Sequence, residues 1–438
     1  MASKKISRLK TGVFSRQMKL AKMIVQSGAQ AAATSFDVWM NQDNRESLTE
    51  EYLKKQARLW ADELGQLKGS AMKVGQMLSV YGEHFLPPKA NEFLRTLQKD
   101  SPAVDWAVMK KQLHQELGSQ LEALVVDPTP IGTASIGQVH KAQHKSSGQW
   151  LALKIQYPGV DKAVHSDLKA LKTMLQLAKL LPKSERTDSL FAEVNEMLNQ
   201  EMDYTCELRL MEQYRSHLAG NEDYLIPKTF PEFCSQRVLA TEYIEGVSVT
   251  SPELGQWPQE RRNKVAEIYL KLYLEELFSW ALVQTDPHVG NYLIKPGPHR
   301  DQLVLFDFGA TRNVEPEFIE PYRQLVLSAA RKDRSQLMEA SEKIGFVLPE
   351  DSDVLRQHYI DLCDLIVEPF MDDIIYDFSD SDLPKRVVQK GRDLISAFHL
   401  RVPPHQTMFL DRKLGGSFTF LSLLGAKIAP RKWLEPYL

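Results

Sequence analysis

The chain has 438 residues, 43% of them hydrophobic, and carries 54 Lys and Arg against 57 Asp and Glu for a net charge of −3. That length suits about two to three domains with real apolar cores, and the near-neutral balance argues against a generic nucleic-acid binder. Cys206, Cys234 and Cys363 stand far apart with no CxxC spacing, which gives neither a disulfide framework nor a zinc site and suits a reducing compartment. Taken in chain order, the first segment, 1–47, is a basic arm. Lys4, Lys5, Arg8, Lys10, Arg16, Lys19 and Lys22 all precede the first acidic residue, Asp37, and Ile6, Leu9, Val13, Leu20 and Ile24 recur among them at roughly helical spacing. A solvated helical arm, a membrane-surface helix and an organelle transit segment all fit such a pattern.

Residues 48–124 read as a helical extension. Leu53, Ala57, Trp60, Leu64, Leu67 and Ala71 form one stripe. Gly75, in the middle of the helical pattern, costs about 1 kcal/mol against Ala and so points to close approach by another element. Pro87 and Pro88 end the helix.

Residues 125–247 alternate as strands before turning helical. Ile136 to Ala142 and Trp150 to Gln156 are predicted antiparallel strands joined by the turn Lys145-Ser146-Ser147-Gly148. Gly132 to Gly137 fits the first half of a Walker loop, but Gln138 and Val139 stand where its Lys and Ser/Thr are required. The small residues Gly132, Thr133, Ala134 and Ser135 instead suit a turn before a hairpin that covers nucleotide phosphates. Leu151-Ala152-Leu153-Lys154 then takes the place of the strand whose Lys holds the α- and β-phosphates. A helical run from Val164 to Leu218, broken near Leu181 to Asp188, carries Glu201, Asp203 and Glu207; on one helix Asp203 and Glu207 share a face that Glu201 does not. A strand from Arg237 to Glu242 leads into the hinge-like Tyr243-Ile244-Glu245-Gly246, and Glu242 and Ile244 are candidates for contact with the nucleotide.

Residues 248–438 hold the remaining chemistry. Asp286 and Asn291 have the spacing of a kinase catalytic loop, although Gln284 and Thr285 replace its His-Arg pair, and Asp307-Phe308-Gly309 ends the apolar run from Leu303 to Phe306. An Asp carboxylate, an Asn carbonyl and phosphate oxygens suit Mg²⁺ (or Mn²⁺) rather than zinc. After Gly309 the chain runs directly into a helical pattern, which leaves little room for an activation loop. The helices expected here are Val265 to Leu282, Pro321 to Leu337, Ser352 to Ile374 and Leu383 to Phe398, with the DRKLGGSFTFLSLLGAKI stretch as a buried structural helix or an apolar contact for a lipid or partner. His140, His144, His288 and His299 lack metal-ligand spacing, and no window approaches the roughly 18 successive apolar residues that would span a bilayer. The order of strand Lys, helix Glu, catalytic Asp and Asp-Phe-Gly is that of a bilobal α+β kinase fold with a small antiparallel-sheet lobe and a helical lobe.

These motifs, with AMKVGQ, SIGQVHKA, LALKIQYPGV, QEMDY, QTDPHVGNYLI and DFGAT, resemble the UbiB/AarF family of atypical protein-kinase-like proteins from about Leu48 to near the C-terminus. The resemblance implies that Lys154 is the nucleotide-phosphate Lys, Glu207 its ion-pair partner, Asp286 the catalytic-loop Asp, and Asn291 and Asp307 the Mg²⁺ ligands. It also implies that Lys73 and Gln76 belong to a regulatory extension folded near Glu201 and Asp203. Where the family has an Ala-rich turn, this chain has Gly132-Thr133-Ala134-Ser135. The implied activity is ATP-dependent kinase or ATPase chemistry supporting ubiquinone biosynthesis, with lipid-like intermediates handled at an anionic membrane surface and other quinone-biosynthesis proteins as partners. The implied location is cytoplasmic or peripheral at the inner face of a membrane, or the mitochondrial matrix in a eukaryote. Two other readings remain open on the residues: a protein or small-molecule kinase, and an ATP-binding scaffold without turnover.

Overall fold

A computed structural model describes residues 70–81, 90–92, 94, 103–177, 181, 183–398 and 405–438. The basic arm, the apolar stripe from Leu53 to Leu67 and the Pro87-Pro88 stop lie outside the described residues. The described chain has an α+β architecture and divides into two compact units, one formed by residues up to Leu208 together with Lys228–Tyr243, the other by Arg209–Pro227 and Ile244–Leu438.

The first unit is built on a sheet flanked by helices. Helix α1 (Ser70–Tyr81) and α2 (Trp106–Leu117) precede strands β1 (Leu124–Thr133), β2 (Gly137–His144) and β3 (Trp150–Gln156); helices α3 (Val160–Leu177) and α4 (Glu185–Glu201) follow, and α5 (Tyr204–His217) begins in this unit. Beyond β4 (Tyr224–Leu225), which belongs to the second unit, β5 (Val238–Glu242) completes an antiparallel sheet of order β1-β2-β3-β5. Alternation fixes its two faces. Leu151, Leu153 and Ile155 of β3 are buried, whereas Ala152 and Lys154 lie on the half-exposed face, as a pleat of period two requires. The buried face also carries Gln138 and His140, whose polar atoms are satisfied: Gln138 Oε1 accepts from the Val104 amide at 2.9 Å, and His140 Nδ1 bonds the Asp127 carbonyl oxygen at 2.7 Å. Burial holds the His140 pKa below its ordinary value, partly offset by that backbone bond and by Asp127.

The hairpin expectation holds, with an added strand. Gly132 and Thr133 lie in β1, opposite Val139 and Gln138, so the turn itself is only Ala134, Ser135 and Ile136, closed by the Ala134 amide on the Gly137 carbonyl oxygen at 2.8 Å. The small residues of the Gly132–Ser135 run suggested a turn throughout; cross-strand pairing extends the strand two residues further. Gly137 allows the turn to sit on β3, because an added Cβ would overlap the Ile155 carbonyl oxygen.

The helical run also breaks twice rather than once. Helix α4 ends at Glu201 and α5 starts at Tyr204, so Asp203 and Glu207 do not share one helix with Glu201. Asp203 starts α5: its Oδ1 accepts from the Thr205 amide at 2.9 Å, the capping role that Asp fills at a helix N-terminus.

In the second unit, β6 (Val247–Ser248) precedes helix α6 (Gln259–Leu274), which runs into a π-turn, Glu275–Trp280, ended by Ala281 in the left-handed region at φ 52°. Sequence periodicity places one helix there to Leu282; Leu282 is instead the first residue of β7 (Leu282–Gln284). Strands β8 (Tyr292–Lys295) and β9 (Gln302–Leu305) form a hairpin in a sheet of order β4-β9-β8-β6, and β10 (Thr311–Asn313) pairs with β7. The helix expected over Pro321 to Leu337 is two helices, α7 (Pro316–Arg331) and α8 (Arg334–Ile344), separated by Lys332 in the left-handed region and by the Asp333 cap. Helix α9 (Asp353–Ile366) ends eight residues before the expected Ile374, where Pro369 enters a 3₁₀ turn. Helix α10 (Leu383–Phe398) matches its expectation, and α11 (His405–Leu423) carries Lys413, Ser417, Phe420 and Leu421 into the core. No helix of the described residues is long and apolar enough to cross a membrane.

Asp203→Ala removes the cap of α5 and is expected to cost about 1 kcal/mol of stability, read as a lower midpoint in thermal unfolding followed by circular dichroism; an unchanged midpoint would show that the cap does not hold α5.

Candidate functional site

The first group of site residues forms around the half-exposed face of β3. Lys154 Nζ lies 2.8 Å from Glu207 Oε1 and 2.9 Å from Oε2, and 5.1 Å above the Tyr204 ring. Glu207 is 3% exposed. A carboxylate taken out of water needs a cationic or hydrogen-bonding partner, and the first turn of α5 favours its negative charge through the helix dipole. The pair therefore fixes an ammonium at one end of the sheet face.

Lys73 pairs with Glu201, and the Ser70 hydroxyl donates to Asp167. These two bonds tie α1 to α4 and α3, and Gly75 is buried in α1. Gln76 lies on α1, half-buried. Glu201 closes α4, and Asp203, two residues on, caps the helix that carries Glu207. Glu201 and Asp203 thus precede Glu207 closely along the chain, and Lys73 joins them through its pair with Glu201. Ala134 and Ser135 form the turn at the end of β1, while Gly132 and Thr133 are paired strand residues. Glu242 ends β5, and Ile244 opens the second unit.

The second group is assembled by the loop after β7. Gln284 Nε2 donates to the Asp307 carbonyl oxygen at 3.3 Å, and the Thr285 amide and hydroxyl both donate to the Ala310 carbonyl oxygen, at 3.1 and 2.6 Å. The two residues that replace His-Arg therefore hold the Asp307-Phe308-Gly309 segment against the loop, a role the motif alone did not reveal. Asn291 Nδ2 donates to the Asp286 carbonyl oxygen at 2.9 Å, which leaves the Asn291 amide oxygen available as a ligand. His288 Nδ1 accepts from the Gly290 amide at 3.0 Å and shapes the turn, and Asp307 Oδ1 accepts from the Gly309 amide at 3.1 Å. The β8–β9 register, Tyr292 opposite Leu305, sets Asn291 and Asp307 at the same end of the hairpin. With Glu276, Gln284 and Tyr292 they line a small cavity.

Behind this loop lies a buried charge pair that sequence reasoning missed. Lys413 Nζ is 2.7 Å from Glu276 Oε2, each side chain 1% exposed. Tyr214 donates to Glu276 Oε1 at 3.0 Å and stacks edge-on against Phe308, ring centroids 4.9 Å apart. Burial opposes the charge on Lys413, but the Glu276 carboxylate, with Tyr269 and Asp286, raises the Lys413 pKa. Burial raises the Glu276 pKa as well; the 2.7 Å contact and the Tyr214 hydroxyl favour the ionised pair. Arg412, beside Lys413, donates from Nη2 to Asp286 Oδ1 at 2.7 Å. Both cations stand at the start of the stretch read as a structural helix, and an Asp-Arg-Lys run leading into an apolar segment is the available signal.

An oxygen-only set of Asp307 and Asn291 fits a hard cation that takes its remaining ligands from phosphate and water, and the described residues hold no His, Cys, Asp and Glu cluster of three or more that suits a metal otherwise.

Comparison with known proteins shows the family. Residues 96–341 match the ABC1 atypical kinase-like domain. The chain is 31% identical over 371 residues to Atypical kinase COQ8, mitochondrial, of Saccharomyces cerevisiae, covering 84% of this chain and 73% of that one. It is 30% identical to Atypical kinase COQ8B, mitochondrial, of Rattus norvegicus, covering 83% and 68%. It spans about half, 48%, of Atypical kinase coq-8, mitochondrial, of Caenorhabditis elegans. Among solved structures, the Mycobacterium tuberculosis Rv3197–erythromycin complex is similar at a TM-score of 0.59 and 25% identity, over 89% of this chain and 97% of that one.

Lys413→Met is expected to strand the Glu276 carboxylate and cost about 3–5 kcal/mol, measured by chemical denaturation. Adding Glu276→Gln should restore most of the loss, and a single variant as stable as wild type would show that the pair is not charged.

Proposed function

Because the chain belongs to the ABC1 atypical kinase-like family, we propose that this kinase-like enzyme binds Mg²⁺ and ATP and releases or transfers the terminal phosphate in support of isoprenoid quinone biosynthesis. The observation that carries the reading is that one chain holds both a Lys154–Glu207 pair in one unit and an intact Asp286, Asn291 and Asp307 set in the other. A structural lysine needs no such company.

The roles follow from the chemistry of each group. Lys154 neutralises the α- and β-phosphates as a point charge, and Glu207 fixes where that charge sits. Asp307 and the Asn291 amide oxygen hold the divalent ion, which supplies neutralisation of phosphate charge when bound. Asp286 orients the attacking hydroxyl, from water or an acceptor, and takes its proton. With Gly132 and Thr133 held in β1, the small Ala134 and Ser135 of the turn let phosphate oxygens approach its backbone, and Glu242 and Ile244 border the base. Lys73, Gln76, Glu201 and Asp203 regulate access through α1.

Only six residues separate Gly309 from the start of α7 at Pro316, and three of them form β10. A segment that short supports neither docking of a peptide substrate nor control by loop phosphorylation, which favours a small or lipid-like acceptor, or water, over a protein. The resemblance to a family linked to ubiquinone synthesis and the mitochondrial names of the relatives support action at a membrane surface among quinone-biosynthesis proteins.

The purified chain is expected to release phosphate from ATP in the presence of Mg²⁺, faster with anionic liposomes, and Asp307→Asn should abolish the release without unfolding the protein. Tight nucleotide binding with no release under any condition would replace this reading with a scaffold.

A further inference from the structure

Between Gln284 and Asn291 the sequence is Gln-Thr-Asp-Pro-His-Val-Gly-Asn, with no Lys or Arg. A phosphoryl-transfer loop depends on fixed charge and on an acid held in one orientation, and here that help comes from 126 residues further along the chain. Arg412 Nη2 donates to Asp286 Oδ1 at 2.7 Å, while Asp286 Oδ2 faces Asn291 Nδ2 at 3.5 Å.

The helix that delivers Arg412 is anchored on every turn near this contact. Lys413 is buried against Glu276. Gly416 lies directly on Pro287, the residue after Asp286, where an added Cβ would overlap the proline ring. Ser417 meets the Tyr269 hydroxyl at 3.1 Å, and Phe420 stacks on the Tyr269 ring with centroids 3.9 Å apart. The register of α11 against the loop is therefore fixed, and with it the position of Arg412. The Arg412 and Asp286 side chains are themselves 29% and 26% exposed. Neither is a fully buried charge that must be neutralised for its surroundings to fold, so stability alone does not require the pair.

We propose that Arg412 is a positioning residue for the reaction: it orients the Asp286 carboxylate toward the attacking hydroxyl and supplies from the C-terminal helix the charge that the loop lacks. This rests on the nucleotide-dependent activity argued above and names the device that aims its acid. The contact uses one guanidinium nitrogen on one carboxylate oxygen, so a lysine can reproduce its charge although not its reach.

The experiment compares Mg²⁺-dependent phosphate release from ATP by wild type, Arg412→Gln and Arg412→Lys, together with thermal unfolding of each. In Arg412→Gln, kcat should fall about tenfold or more while KM for ATP stays within about twofold, with the melting midpoint unchanged, and Arg412→Lys should recover part of kcat. Wild-type kcat in Arg412→Gln, or a loss that follows a lowered melting midpoint and is not recovered by Arg412→Lys, would overturn the proposal. No release from the wild-type chain would overturn the underlying reading and this inference with it.

Discussion

The first unit is organised around a carboxylate that cannot be left alone. Glu207 is almost fully out of water, and an unpaired buried carboxylate either takes up a proton or unfolds its surroundings. Lys154 resolves that constraint with two bonds, at 2.8 and 2.9 Å, and the demands of the pair reach outward. Glu207 must sit in the first turn of a helix, so the chain breaks at Asp203 to start one. The preceding helix ends at Glu201, whose carboxylate is then available for Lys73 on α1. Lys154 must sit on the half-exposed face of β3, so Leu151, Leu153 and Ile155 are committed to the core.

The second unit meets a comparable demand by a different route. Its site residues lie on loops, and loops hold geometry only when their polar groups are satisfied. Gln284 and Thr285 bond the backbone of the Asp307 segment, and Asn291 bonds the Asp286 carbonyl oxygen. Beneath them Glu276, set on a π-turn just before a left-handed Ala281, reaches Lys413 and Tyr214 in the core. Departures from regular helix of this kind gather at functional sites. Phe308 packs against Tyr214, so the Asp307-Phe308-Gly309 segment rests on this charged core.

The parts legible in the sequence are those whose information is local. Period-two burial gave β2 and β3, and the Lys154, Asp286, Asn291 and Asp307 spacings stood out because each motif is contiguous. The break at Asp203 was hidden because Glu-Met-Asp-Tyr continues a plausible helical period, and only the cap geometry separates α4 from α5. Gly132 and Thr133 looked like turn residues by composition, yet cross-strand hydrogen bonding decides where a strand ends. Arg412 and Lys413 could not be assigned from spacing at all. Their partners, Asp286 and Glu276, are more than a hundred residues away in sequence, and which charge meets which is settled by how α11 packs.

The membership in the ABC1 atypical kinase-like family and the two charge-centred groups lead to one central claim, that Lys154 serves a nucleotide and Glu207 serves Lys154. The most direct measurement is isothermal titration calorimetry of ATP with Mg²⁺ into the wild-type chain and into Glu207→Gln, each checked for folding by circular dichroism. Wild type is expected to bind and the folded Glu207→Gln variant to bind at least about tenfold more weakly, since an amide no longer fixes the ammonium. A folded variant that binds ATP as tightly as wild type would contradict it.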